Sequence, residues 1–202
     1  MITSNIGFRD TSKLSEWISN IIIIRIILVI IINIIPISPG EEILTMGDWL
    51  LVVVAPVIII LNIIGGILFL RWIYFSSINS SLTGAENMNF SPGWSVGWFF
   101  IPFMNIFMPF RAMKEIWKTS KNSKSWTSLE TPSIIIWWWF LYIVSTFATQ
   151  AVMRANLGMF DITFSEQDLV IISLSEAAIV TAYLIIQMKL VKEITEMQKE
   201  KK

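Results

Sequence analysis

Two ionisable residues, Arg25 and Glu176, lie well inside apolar runs of this 202-residue sequence. Inside a membrane such residues mark functional sites by default. The chemistry they offer is a buried ion pair or a path for an ion or proton. A rise of about 1.5 Å per residue puts each about 12 Å from its nearer membrane face, leaving roughly 6 Å of depth between them in a core of about 30 Å. An arginine side chain can close that gap, so an Arg25–Glu176 pair is one reading. The other is that Arg25 snorkels to the interface and Glu176 is a hydrogen-bonded packing residue. Catalysis has little else to work with. The sequence holds no histidine and no cysteine, which removes imidazole and thiolate ligands, cysteine nucleophiles and histidine-based triads. No carboxylate pair within one segment has acid/base spacing, and metal-ligand motifs and glycine-rich phosphate loops are absent. The expectation is a protein that is not an enzyme, with no catalytic residue, metal or cofactor. A membrane enzyme acting on lipid ranks third among the functions considered.

A second cluster is basic. Arg111, Lys114, Lys118 and Lys121 recur at helical spacing, while Met113, Ile116 and Trp117 occupy another face. That pattern predicts an amphipathic helix over 111–121 lying on the inner leaflet. Each basic residue near an anionic surface contributes about 1 kcal/mol. The expected partners are the bilayer, anionic lipid at the inner leaflet, and a protein partner or second copy, with no nucleic acid.

Composition decides the setting of these residues. Apolar residues make up 54% and charged residues 15%, against about 25% charged in soluble domains. The mean hydropathy is +0.67. A soluble globular enzyme and a disordered chain are thereby excluded. The expectation is an all-α integral membrane protein, a single membrane domain over 1–202. A spanning helix needs about 20 apolar residues. Four stretches reach that length: 17–36, 49–74, 133–153 and 169–188. Isoleucine is a modest helix former in water, but in lipid every backbone group must bond internally, so helix wins. Asp10 and Glu16 before the first run, and Arg25 within it, argue for a retained span rather than a cleaved signal. The tail 189–202 continues as a helix, with Leu190, Val191, Ile194 and Met197 on one face, ready to pack on the 111–121 helix or a partner.

A fifth apolar segment, 94–110, has 17 residues and would be about 25 Å long as one helix. Pro102 and Pro109 each remove a backbone donor, with Asn105 between them. It is read as re-entrant or as a short fifth span. If re-entrant, 13 of the 14 basic residues outside the spans face the cytoplasm, and both acidic linkers face outward; if it crosses, the count falls to 10. The positive-inside tendency therefore favours four spans with both termini inside. Trp17, Trp49, Trp72, Trp94, Trp117, Trp126 and Trp137 fall near span ends and read as interfacial anchors. Gly65 and Gly66 allow close helix approach. Ser145, Thr146, Thr149, Gln150, Ser173, Ser175, Thr181 and Gln187 read as helix-packing contacts or as a polar path.

The run from Phe90 to Trp117 closely resembles the signature of a bacterial membrane family known as domain of unknown function 4328. The residues that carry the likeness are Ser91-Pro92-Gly93-Trp94, Gly97-Trp98, Ile101-Pro102, Asn105, Pro109, Arg111 and Trp117. Phe69, Trp72, Tyr74 and Asn79 are similar to the preceding span end, Trp137-Trp138 to the following span start, and Val191, Ile194-Thr195 and Met197-Gln198 to the tail. Phe75, Ser76 and Ser77 depart from the family, which carries basic residues there. The resemblance implies a multi-pass protein of the bacterial inner membrane and supplies no activity. On the residues alone, Ser91-Pro92-Gly93 is a turn signal, Gly97 permits close packing, and Asn105 is a donor for carbonyls freed by the prolines. The expected function is a non-enzymatic scaffold, partner subunit or lipid-interacting module. The alternative is a small channel or transporter using the broken segment, Arg25 and Glu176.

Overall fold

The computed structural model describes residues 7–34, 46–159 and 164–201. Pro36, Glu41, Glu42 and Asp161 lie outside the described residues, as do the side chains of Asp48, Trp49 and Glu166. Six α-helices follow in order: α1 (Ser12–Ile34), α2 (Met46–Leu82), α3 (Pro92–Gly97), α4 (Met108–Lys121), α5 (Ser133–Asn156) and α6 (Glu166–Lys199). Three-residue 3-10 turns sit at Trp98–Phe100, Met104–Ile106 and Trp126–Ser128. No strand occurs among the described residues. Helices α1, α2, α5 and α6 are long and apolar enough to cross a membrane.

These four form a row, α5 on α6, α6 on α1 and α1 on α2. Isoleucine and valine cover the outer faces, where Val53, Ile60, Ile63 and Ile67 are all more than half exposed. Such faces suit hydrocarbon, which leaves small residues and polar contacts to hold helices together. Gly65 supplies one such approach, since a Cβ there would stand 3.3 Å from Ile21 Cγ2. The variant Gly65→Leu is expected to wedge α1 from α2 and cost about 1–3 kcal/mol, read as a lower thermal midpoint in detergent.

Two helices run past the expected span ends. Helix α2 has 37 residues and α6 has 34, so each exceeds about 50 Å against a hydrocarbon core of about 30 Å. Helix α2 continues from Tyr74 to Leu82, and α6 is continuous with the tail. Their extensions meet the N-terminal segment and α4 at one end of the bundle. Arg9 N donates to Asn79 Oδ1 at 2.9 Å, and Asn79 Nδ2 donates to Gln198 Oε1 at 3.0 Å. The start of α1 and the ends of α2 and α6 therefore share one end.

Helix α4 corrects the sequence reading. It begins at Met108, and its apolar face does not lie on lipid. Ala112, Met113 and Ile116 are buried against the core formed with Trp72, Ile73, Leu190, Val191 and Ile194. The extensions of α2 and α6 offer that face a protein partner. Arg111 and Lys121 stay exposed on the far side, with Lys114 and Lys118 half-buried. The tail packs on α4 as expected, and Trp117 Nε1 donates to Glu193 Oε1 at 2.9 Å.

Trp72 and Trp126 are not interfacial anchors. Trp72 is fully buried, stacks on Phe69 at 5.7 Å and donates to Thr195 Oγ1 at 3.0 Å. Trp126 donates to Glu86 O at 3.0 Å. An indole whose N–H finds a protein acceptor gains nothing from the headgroups. Trp17, Trp94 and Trp137 remain more than half exposed.

Candidate functional site

Three features could carry function, and two share one end of the molecule. The first is a buried polar layer built from the extensions. Ser76, Ser77, Asn79, Ser80, Thr119, Ser120, Thr195 and Gln198 are all buried. Gln198 Nε2 donates to Ser76 O and Ser120 Oγ, each at 2.9 Å. Thr119 Oγ1 donates to Ser80 Oγ at 2.8 Å, and Ser95 Oγ to Ser77 Oγ at 3.3 Å. Glu115 accepts from Asn89 N at 2.9 Å, Asn89 Nδ2 at 2.6 Å and Phe90 N at 3.1 Å, fixing the connection that enters α3. These bonds satisfy most of the layer internally, leaving Ser76 Oγ without a partner, and make it a structural clamp. The sequence reading missed Glu115, Thr119 and Ser120. The adjacent hydroxyls Thr119 and Ser120 at the end of α4, one turn after Glu115, and the polar run Ser76, Ser77, Asn79 and Ser80 on α2 were the available signal.

The second feature is the proline segment. Ser91 caps α3, accepting from Trp94 N at 3.4 Å, and Pro92 occupies the first turn, where no donor is needed. So Ser91-Pro92-Gly93 starts a helix rather than only a turn. Gly97 makes room for an indole of its own segment, because a Cβ there would meet Trp94 Cε3 at 3.1 Å. Trp94 and Trp98 rings lie 4.8 Å apart. The variant Gly97→Ala is expected to displace the Trp94 ring and cost about 1 kcal/mol, visible as a red-shifted, more quenchable tryptophan emission. Pro109 falls in the first turn of α4 and starts that helix instead of breaking one. The chain leaves α2, turns at Ile101–Phe107 and joins α4 at the same end of the bundle, where Ser95 meets Ser77 and α4 meets the layer. Phe100, Phe103 and Phe107 at the turn are 63–78% exposed. Phe103 has φ +65°, a costly conformation for a bulky residue. Asn105 is not the carbonyl donor. Its side chain makes no hydrogen bond among the described residues, and Ile106 O accepts from Trp139 Nε1 at 3.1 Å. The indole reaches the turn from α5, which the sequence could not place beside it.

The third feature is a cavity of about 570 Å³ among α1, α2, α5 and α6, with Phe99 and Phe100 of the proline segment on its wall. Arg25 and Glu176 both line it but do not pair. Glu176 Oε1 accepts from Thr149 Oγ1. Tyr183, on the same cavity wall as Arg25, lies seven positions along α6 from Glu176, about 10 Å. The expected depth gap of roughly 6 Å came from counting each residue from its own nearer membrane face, which leaves the register of α1 against α6 undefined. Ser145, Thr146, Thr149, Gln150 and Gln187 also face the cavity; Ser145 and Thr146 hydroxyls bond Tyr142 O of their own helix.

Residues 37–196 match the family described as a domain of unknown function, DUF4328. This chain belongs to DUF4328. The match covers about four-fifths of the sequence and includes the polar layer apart from Gln198, the proline segment and three of the four walls of the cavity. No curated protein and no solved structure matches the chain. Trp72, Asn79, Trp117 and Thr195, all within the matched residues, hydrogen-bond across helices in the clamp. Within that DUF4328 frame, Trp94, Pro102 and Arg111 are exposed, and Gly93 borders open space.

Proposed function

We infer that this DUF4328 protein is a non-enzymatic, lipid-interacting module of the bacterial cytoplasmic membrane. Both termini and the polar layer face the cytoplasm, and residues 94–110 re-enter the inner leaflet without crossing. The observation that carries this reading is the pairing of an exposed aromatic turn with a basic helix face at one end. Phe100, Phe103 and Phe107 would expose apolar area at about 25 cal/mol per Å² in water. Seated among acyl chains they anchor the turn. Arg111, Lys114, Lys118 and Lys121 then stand at headgroup height, each attracted to anionic lipid by about 1 kcal/mol.

The test is lipid retention by the full chain in nanodiscs of mixed phosphatidylglycerol and phosphatidylcholine. Lys114→Gln/Lys118→Gln/Lys121→Gln is expected to lower phosphatidylglycerol enrichment several-fold. Unchanged enrichment, insensitive to salt, would sink the lipid reading. Topology is read separately by thiol labelling, since the chain has no cysteine. Ser80 and Ser123 are buried, so Glu86→Cys and Ser128→Cys are the better probes. Both are expected to react with an impermeant maleimide only after lysis, whereas Asn156→Cys reacts in intact cells. The cavity favours one further reading, a small channel or transporter; liposome flux altered by Glu176→Gln would support it.

A further inference from the structure

We propose that the intramembrane cavity binds one anionic amphiphile. Its carboxylate or phosphate oxygens are held by Arg25, Tyr142 and Tyr183. Its alkyl chain lies in the opening between α2 and α5. This site is separate from the basic face of α4, so the two can fail independently.

The donors are unmatched. Arg25 has no ion pair or hydrogen bond among the described residues, and neither Tyr142 nor Tyr183 has a hydroxyl partner there. Tyr142 and Tyr183 line the same cavity as Arg25, with ring centroids 5.8 Å apart. An arginine inside a bilayer is costly without a counter-charge. An oxyanion answers all three groups at once. A neutral or cationic headgroup does not answer Arg25. Glu176, the carboxylate on the same cavity, is bonded to Thr149 about 10 Å along α6 from Tyr183, so the anion is read at the Arg25 end.

The rest of the site suits a chain. Helices α2 and α5 touch through Phe69 and Trp138, ring centroids 6.1 Å apart, and otherwise make little contact. Val29, Ile58, Leu70 and Phe100 line the same cavity. Gly66 has nothing within 4 Å of where a Cβ would stand. The volume, about 570 Å³, falls within the usual range for small-molecule sites, about 300–1,000 Å³.

The full chain in neutral detergent is titrated with hexadecanoate, hexadecyl phosphate, hexadecanol, acetate and inorganic phosphate. Retention is followed by native mass spectrometry and by the thermal midpoint. The charged alkyl probes are expected to bind at least about tenfold tighter than hexadecanol, with acetate and inorganic phosphate not retained. The tighter of the two charged probes identifies the source, a free fatty acid or a phospholipid. Arg25→Gln is expected to weaken binding about tenfold or more, and Tyr142→Phe/Tyr183→Phe about threefold to tenfold. Arg154→Gln, exposed at the end of α5 and outside the cavity lining, is expected to bind as the parent does. Hexadecanol binding as tightly as hexadecanoate would overturn the proposal, as would tight binding of the chain-free anions. Parental affinity in the tyrosine pair and in Arg25→Gln would overturn it too. Should Arg25→Gln not fold, the tyrosine pair and the hexadecanol comparison decide.

Discussion

Asn79→Leu is expected to destabilise the protein by about 3–5 kcal/mol, a large share of a typical total of about 5–15 kcal/mol. Asn79 is fully buried and makes three hydrogen bonds. Its Oδ1 accepts from Arg9 N at 2.9 Å, and its Nδ2 donates to Arg9 O at 2.8 Å and Gln198 Oε1 at 3.0 Å. Leucine has similar size but leaves three polar groups without partners. The groups of Arg9 are only part-buried and recover some of the loss from water, which keeps the figure below the sum of three full penalties. The thermal midpoint and protease sensitivity of the segment before α1 report the change. Gln198→Leu removes the facing partner, so the double variant should cost clearly less than the two singles combined. Strict additivity would mean the Asn79–Gln198 bond contributes nothing.

Glu115→Ala is expected to cost a similar amount, about 3–5 kcal/mol, by a more local route. The Glu115 carboxylate is 3% exposed and accepts three N–H bonds from Asn89 and Phe90. Bonds to a charged acceptor are worth about 1.5–3 kcal/mol each. Losing them frees residues 83–91, and with them the approach to the aromatic turn. Amide exchange at Phe90 should accelerate far more than exchange in α1 or α5. Glu115→Gln keeps one acceptor oxygen and should fall between the parent and the alanine variant. Lys118→Gln, on the same helix and facing outward, should change stability by no more than about 0.5 kcal/mol. Equal exchange at Phe90 in Glu115→Ala and the parent would remove Glu115 from this role.

The four long helices were legible in sequence because lipid imposes a length and a composition on anything that crosses it. The ends of α2 and α6 were not. Hydropathy stops at Tyr74, where Ser76, Ser77 and Asn79 begin, and only a partner helix makes that polar face a reason to continue. The same limit explains α4. The pattern of Met113, Ile116 and Trp117 announces an apolar face, but periodicity cannot distinguish acyl chains from Leu190 and Ile194. For the cavity, Arg25 and Glu176 stood out as intramembrane charges, yet their relation depends on the register of α1 against α6. Trp138, Tyr142 and Tyr183 look like ordinary span aromatics until α2 and α5 are seen to splay.

The polar layer also sets a timetable for synthesis. Trp72 and Thr195 are 123 positions apart, and Asn79 and Gln198 are 119 apart. At about 5–20 residues per second, a ribosome needs roughly 6–24 s to make the intervening chain. Throughout that interval Trp72 Nε1, Asn79 Nδ2 and Ser76 O have emerged without their acceptors and donor on α6. Only the last turns of α6 complete the set. A nascent chain cut short before residue 190 keeps the four spanning segments nearly intact but presents an open polar seam at one face of the bilayer.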